Sequence, residues 1–373
     1  MTHSPSLLVT IIGFVLLLGP LVVIHELGHY LVARWCGVKA DAFSVGFGKE
    51  LWGVTDRRGT RWKLSAIPLG GYVQFAGDMD PTSRPDDEKF AGLSDEERAA
   101  TFNAHPLWQR ALIVAAGPVT NLLFALIVFA AFNLAFGKIV APPVVDDYLA
   151  NSPAAVAGLQ KGDRIVAVDG KPTADFEALR QRIWPYPDTT FTLTVRRDGA
   201  EFPVRITAAA NVLKDEFGNE SRVGQLGIKG ASPAIEPVGP IEAVALAGRQ
   251  TIGIVRMLGV GVAQIVTGQR SVSELGGPIK TAKYSGERLS LGWLEFVSFT
   301  AFISINLAFI NLLPIPALDG GHLAFYAAEA VRRKPLGARS QDWAYRTGLA
   351  FVLALMLFVT LNDLVSLSPF GGT

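Results

Sequence analysis

Residues 25 to 29, His25-Glu26-Leu27-Gly28-His29, follow the pattern H-E-x-x-H. Positions four apart lie on one face of a helix, so both imidazoles can reach a single Zn2+. Glu26, on the adjoining face, can take a proton from a water held by that metal, whose pKa falls to about 7. The pattern is short and arises by chance in soluble chains. Here it follows eighteen uncharged residues, Leu7 to Ile24, and ionisable groups at membrane depth are costly enough to be functional candidates. The competing reading is a polar helix end, solvated at the interface.

A catalytic zinc takes three protein ligands and keeps one position open. Cys36 is the only cysteine, which excludes an intrachain disulfide and a cysteine-rich metal site, so His and carboxylate must hold any metal. After His29 the nearest carboxylate is Asp41, beyond a Cys-Gly-Val turn, with nothing to fix it. The other candidate is remote: Asp319, in Asn311-Leu-Leu-Pro-Ile-Pro-Ala-Leu-Asp-Gly-Gly321, directly after an apolar span. Its plain alternative is a helix-end or turn aspartate before Gly-Gly.

The elements that must bring these residues together are set by hydropathy. Half of the 373 residues are hydrophobic, 18% are charged and the net charge is +1, so nothing global points to nucleic acid. Leu7 to Ile24, Ala111 to Phe136 and Phe296 to Leu318 are uncharged and long enough to cross a bilayer, and Thr347 to Leu361 is a shorter fourth span. The leading segment MTHSPS has no Lys or Arg, so the first span is expected to be retained rather than cleaved as a signal peptide. Ile241 to Gly268 is apolar but carries Glu242, Arg249 and Arg256 seven residues apart, which suits an amphipathic helix at the interface better than a fifth span. With four spans the first and third run in the same direction, and Asp319 emerges at the depth of the two histidines. A fifth crossing would place it about 30 Å away. Arg332, Arg333, Lys334 and Arg339 put the loop after the third span in the cytoplasm.

Between the second and third spans lies a polar α+β module. Thr189 to Arg197 alternates like a strand, Asp198-Gly199 makes a hairpin turn, and Glu201 to Thr207 returns. The string Ala157-Gly-Leu-Gln-Lys-Gly-Asp-Arg-Ile165 resembles PDZ domains of the bacterial protease type. Such domains add a peptide to an open sheet edge and catch its terminal carboxylate on backbone amides. That resemblance assigns Gly224-Gln225-Leu226-Gly227-Ile228 as the carboxylate loop.

Together, the H-E-x-x-H of the first span, the PDZ-like module and the late Asn-Leu-Leu-Pro-x-Pro-x-Leu-Asp-Gly-Gly resemble the site-2 protease family of intramembrane zinc metalloproteases, in its bacterial regulator of sigma-E protease branch. Gly117-Pro118-Val-Thr-Asn121 and Ser273-Glu-Leu-Gly-Gly-Pro278 match as well. The resemblance covers nearly the whole chain. It implies an α-helical polytopic membrane protein of four transmembrane helices with an inserted extracytoplasmic PDZ domain and a membrane-associated β hairpin.

The expected parts are residues 1–138 with two spans, 139–232 as the PDZ domain, 233–294 as amphipathic helices and 295–373 with two more spans. By the same resemblance one Zn2+ is held by His25, His29 and Asp319, and Glu26 is the base that activates its water for attack on the scissile carbonyl. Asn311, Pro314 and Pro316 match positions that bind and unwind substrate. Arg61 to Phe75 resembles a re-entrant hairpin with Gly70-Gly71 at the turn, whose edge could pair with substrate; an ordinary cytoplasmic hairpin is the alternative. Asn121 either orients the site or hydrogen-bonds between helices. His322 is a neighbour of the site rather than a ligand, and His105 and His3 show no partner.

The implied substrates are single-span proteins of the anti-sigma-factor type, already trimmed by a site-1 protease, and remnant signal peptides. The implied partners are the lipid bilayer and a peptide C-terminus at the PDZ domain, and the implied location is the bacterial inner membrane with the active site toward the cytoplasm. Only one PDZ-like module is legible where the branch's best-known member has two. The readings from other classes are a PDZ scaffold with a silent site and a metal transporter.

Overall fold

The computed structural model describes residues 5–76, 94–214, 220–232, 234–269, 276–334 and 337–367. His3 and residues 273–275 of the Ser273–Pro278 motif lie outside them. The chain divides into two compact units, Met1–Val128 with Gly276–Asp363 and Phe129–Leu275 with Leu364–Thr373.

The first unit is built on long apolar helices. Helix α1 (Leu7–Cys36) starts where the Ser6 hydroxyl accepts from the Val9 amide, and it ends at Gly37, whose φ of 91° only glycine adopts without cost. The amides of Gly37 and Val38 then satisfy the carbonyls of Arg34 and Ala33. The H-E-x-x-H residues therefore sit inside a continuous helix, with two more turns beyond them. The chain returns toward a second long helix through a two-stranded sheet, β1 (Ala40–Thr55) and β2 (Arg61–Phe75), and two short turns of helix, α2 (Asp95–Ala99) and Phe102–Ala104.

The sheet departs from expectation. Residues 61–75 are not a hairpin turning at Gly70-Gly71 but one strand, and the tight turn lies earlier, where Asp56 Oδ1 accepts from the amides of Arg58 and Thr60. An aspartate bonding its own backbone two residues on is a turn device that outcompetes a Gly-Gly pair lacking one. Both strands then bend, so that Ala42–Val45 pairs with Gly71–Gln74 and also with Arg61–Leu64, which pairs in turn with Trp52–Thr55. The segment 71–75 is left as an edge. Tyr30, Phe43 and Trp62, with ring centroids 4.6–5.8 Å apart, seal this sheet onto α1.

Helix α3 (Leu107–Phe136) runs antiparallel to α1: His29 meets Ile113, and His25 meets Asn121. In the second unit its far end hydrogen-bonds, through Asn133, to α6 (Pro240–Val266) at Ala243 and Gln250. In the first unit α7 (Pro278–Leu291) lies on the first turns of α1, so close that a Cβ at Gly13 would fall 2.9 Å from the backbone of Ser285. The N-terminus of α7 is capped from a distant residue. The buried Asp363 accepts from the amides of Gly277 and Lys280, each at 3.1 Å. Asp363 belongs to α10 (Ala338–Leu367), the last helix.

Helix α8 (Trp293–Leu312) is parallel to α1: Phe296 packs on Leu17 and Leu21, and the end of α8 reaches the level of His25. It stops six residues short of the expected Leu318. Pro314 and Pro316 have no amide to donate and push Leu313 and Ile315 out of the helical region, and Leu313 is extended at ψ 142°. Asp319 is consequently the first residue of a new helix, α9 (Asp319–Arg332), rather than the last of a span.

Among the described residues, five helices are long and apolar enough to cross a bilayer: α1, α3, α6, α8 and the 343–365 part of α10. Of these α6 is the least apolar, with mean hydropathy 1.2 against 2.9 for α1.

The second unit contains the α+β module. After β3 (Lys138–Val140), β4 (Val145–Tyr148) and the single turn α4 (Pro153–Val156), its four-stranded sheet has the order β6 (Lys171–Pro172), β5 (Arg164–Val168), β7 (Thr190–Arg197), β8 (Ala200–Thr207), and α5 (Phe176–Ile183) buries Leu179 and Ile183 in the same core as Ile165, Leu193 and Val195. Asp163 is wholly buried at the start of β5. It accepts two 2.7 Å bonds from the Arg197 guanidinium and one from the Gln160 amide. Burial is the largest single influence and works against its ionised form, but the Arg197 hydrogen bonds, the Gln160 amide and the Arg197 charge together outweigh it and hold the carboxyl below the ordinary range.

A carboxyl depressed in the folded state adds stability above its unfolded pKa of about 3.9 and loses it as pH falls through the lower folded value. Hydrogen-exchange protection of residues 145–207 in the whole protein should therefore be flat in pH above about 5 and decline below about 4. Asp163→Asn should lower protection at neutral pH and flatten that dependence. An unchanged profile would remove Asp163 as its source.

Candidate metal centre

His25 and His29 project from one face of α1 toward α3, and Asp319 meets them from the first turn of α9. Asp319 Oδ2 lies 3.2 Å from His25 Nε2, Asp319 Oδ1 lies 3.6 Å from His29 Nε2, and the two Nε2 atoms are 3.2 Å apart. A tetrahedral ion with ligands at about 2.0–2.1 Å requires donor atoms about 3.3 Å from one another. Two imidazole nitrogens and one carboxylate, with a fourth side left open, are a zinc donor set, and the residues fit the ion. Among the described residues this is where three potential ligands converge within 4.8 Å.

Three close backbone approaches make the convergence possible. A Cβ at Gly117 would lie 2.3 Å from His29 Nε2 and 2.8 Å from His25 Nε2, so the imidazoles occupy the space a side chain would take. At Gly28, between the two histidines, a Cβ would strike the Ala116 carbonyl at 2.5 Å, so α1 and α3 cross in near backbone contact. Residues 313–318 fold back over the first turn of α9. A Cβ at Gly320 would fall 2.2 Å from the Leu313 carbonyl oxygen, and one at Gly321 would fall 2.4 Å from that of Ile315. Gly-Gly after Asp319 thus lets the proline segment seat the aspartate. The helix N-terminus there favours its negative charge.

Glu26 lines the same groove as the three converging ligands without being one of them. Its Oε2 accepts from the Val73 amide at 3.1 Å, across from the edge segment 71–75. In the antiparallel register Val73 is opposite Phe43, and its amide is turned outward to the site. Glu26, this edge, Asn311, Leu318, Asp319 and His322 line a groove of about 750 Å³. Pro314 and Pro316 shape the 313–318 segment, whereas Asn311 faces the groove itself. Gly224, Leu226, Gly227 and Ile228 belong to the second unit. There the Leu226 and Gly227 carbonyls accept from Ala154 and Leu149, and Gly227 turns the chain at φ 73°.

His105, without a partner on the sequence reading, lies 2.8 Å from the Thr101 carbonyl and 3.1 Å from that of Cys36. Sequence reasoning missed the Ile113 carbonyl and the Val73 amide, since any residue supplies those groups and no side chain signals them.

Apolar helices holding two histidines, an aspartate and a glutamate outside the ligand set define a membrane metalloprotease. The chain belongs to peptidase family M50, whose profile matches residues 13–355. A protein of Agrobacterium fabrum provisionally named a zinc metalloprotease is 45% identical over 362 residues, covering 96% of both chains. One from Rhizobium meliloti, named in the same way, is 43% identical over 95% of this chain and 96% of its own. Metalloprotease MmpA of Caulobacter vibrioides is 33% identical over 96% of each.

Proposed function

We propose that this chain is an intramembrane endopeptidase that cuts single-span membrane proteins, of the anti-sigma-factor type and remnant signal peptides, after a site-1 protease has trimmed them. The observation that carries this reading is the meeting of His25, His29 and Asp319 beside Glu26 on helices apolar enough to sit in lipid. His25, His29 and Asp319 would hold one zinc ion. Zinc bound there supplies Lewis acidity, polarising a carbonyl and making water acidic near neutral pH. Glu26 takes the proton of the attacking water on a carboxylate oxygen and delivers it to the leaving amine.

A helical substrate hides its peptide carbonyls and must be drawn out before it can react. The edge segment 71–75 has outward amides for an added strand, and Asn311 sits opposite, able to hold a substrate carbonyl. Pro314 and Pro316 keep the facing segment non-helical; the Leu313, Ile315 and Leu318 carbonyls are engaged within it and its next turn, so an extended chain would pair with the remaining backbone groups.

Four crossings suit the helix directions. Because α8 is parallel to α1 and α3 returns the chain between them, a full crossing by α6 would bring α8 in from the wrong side. That supports α6 and α7 as interfacial helices, and the basic loop of Arg332, Arg333 and Lys334 as cytoplasmic. The α+β module would then be a periplasmic PDZ domain in a bacterial inner-membrane protein, with Gly224, Leu226, Gly227 and Ile228 taking a peptide C-terminus.

The test is reconstitution of the chain in liposomes with a single-span substrate. One zinc per chain and cleavage lost to a chelator are expected. Asp319→Ala should weaken zinc by more than about 100-fold, beyond the loss caused by removing an outer partner of a ligand. Stoichiometric zinc in that variant would exclude Asp319 as a ligand. Zinc flux without cleavage would make the chain a transporter, and peptide binding without zinc would make it a scaffold.

A further inference from the structure

A neutral imidazole carries one N–H, and a histidine that ligates through Nε2 must keep that proton on Nδ1. His29 meets this requirement on helix α3, where its Nδ1 lies 2.8 Å from the Ile113 carbonyl oxygen, which can only accept. His25 Nδ1 lies 3.3 Å from the side-chain amide of Asn121, two turns further along α3. Asn121 is fully buried. With its NH2 end toward His25, the amide would donate to Nδ1 and drive the imidazole proton onto Nε2, the atom aimed at His29 and Asp319. The same orientation leaves Asn121 Oδ1 buried with no hydrogen-bond partner.

The two ends of an asparagine amide have the same shape, and the hydrogen-bond network decides between them. Exchanging them removes the conflict at the imidazole, because Oδ1 then accepts from His25 Nδ1–H and Nε2 is left free to ligate, while the NH2 group takes the place where Oδ1 had no donor.

We infer that Asn121 is the positioning residue of His25, accepting its Nδ1 proton so that Nε2 faces the ion. The assignment rests on the zinc reading of the site. It gives both histidines an acceptor from the same helix, with Ile113, Gly117 and Asn121 spaced four apart along the ridge that faces α1. The backbone carbonyl of Asn121 does something different, accepting from the Ser304 hydroxyl at 2.9 Å and tying α3 to α8. Helix joining and ligand orientation are thus carried by different atoms of one residue and can be separated.

The experiment measures zinc affinity of the whole purified protein by competition with a chromophoric chelator. Asn121→Leu removes the acceptor and is expected to weaken zinc about 10- to 100-fold. Asn121→Asp, which can only accept, is expected to hold zinc within a few-fold of the parent. Ser304→Ala, which removes the helix-joining bond and leaves the amide in place, is expected to do the same.

Parent-like affinity in Asn121→Leu would overturn the inference, as would equal losses in Asn121→Leu and Ser304→Ala, which would make the residue helix glue. If Asn121→Leu does not fold, Asn121→Asp decides: retained zinc supports the acceptor role, and loss from a folded protein overturns it. A parent protein that binds no zinc would instead remove the metal reading itself.

Discussion

Glu26→Gln is expected to lower peptide-bond cleavage by about 10²- to 10⁴-fold, the usual contribution of a general base, while zinc stays at one per chain. The separation of the two effects follows from where the carboxylate points. Glu26 shares its helix with both histidines, yet its oxygen bonds to the Val73 amide and it is not part of the trio that converges. A glutamine has the same length and can still accept from Val73 through its own carbonyl oxygen, so the edge segment keeps its place. What it cannot do is take up a proton at neutral pH. Zinc analysis alongside cleavage of a single-span substrate in liposomes checks both halves. Wild-type cleavage in the variant would remove Glu26 from the proton path, and loss of zinc would show that it supports the ligands.

The second large effect is expected at a residue with no functional group. Gly117→Ala adds one methyl group, which on the present backbone would lie 2.3 Å from His29 Nε2, 2.6 Å from its Cε1 and 2.8 Å from His25 Nε2. Those rings have little freedom to retreat, since His29 is held through Nδ1 by Ile113 and the two rings already pack edge to face with centroids 4.8 Å apart. Zinc affinity should fall by about 100-fold or more, because both ligands are displaced together, and cleavage should fall with it. Alanine is better than glycine in a helix interior by about 1 kcal/mol, so α3 itself should form at least as well. A variant that melts like the parent but binds no zinc would match this expectation. One that keeps both zinc and activity would mean that α1 and α3 can separate at their crossing, and the close approach would lose its significance.

The structure changes how the sheet is understood. The edge strand over Glu26 is legible only as a register, because Ala42–Val45 has to pair on both sides before 71–75 becomes an edge with outward amides. Gly70-Gly71 looks like a turn, but Asp56 makes a better one, binding the Arg58 and Thr60 amides itself. The cap of α7 is similar. An N-cap is ordinarily sought in the residue before a helix, yet here Asp363, 86 positions from Gly277, supplies both acceptors. No local pattern announces a cap donated by another helix.

By itself the sequence determined the periodic and local features: apolar runs of spanning length and two histidines one turn apart with a glutamate beside them. These follow from covalent geometry and hydropathy, which act over a few residues and need no partner. The span expected to run to Leu318 ends at Leu312 instead. Only the tertiary structure decided that Gly117 must lack a side chain, that Ile113 and Asn121 stand behind the histidines, and that the Val73 amide faces Glu26. Those are contacts between segments tens of residues apart, made through backbone atoms or through the absence of a Cβ. Any sequence can provide such groups, and only packing says where they fall.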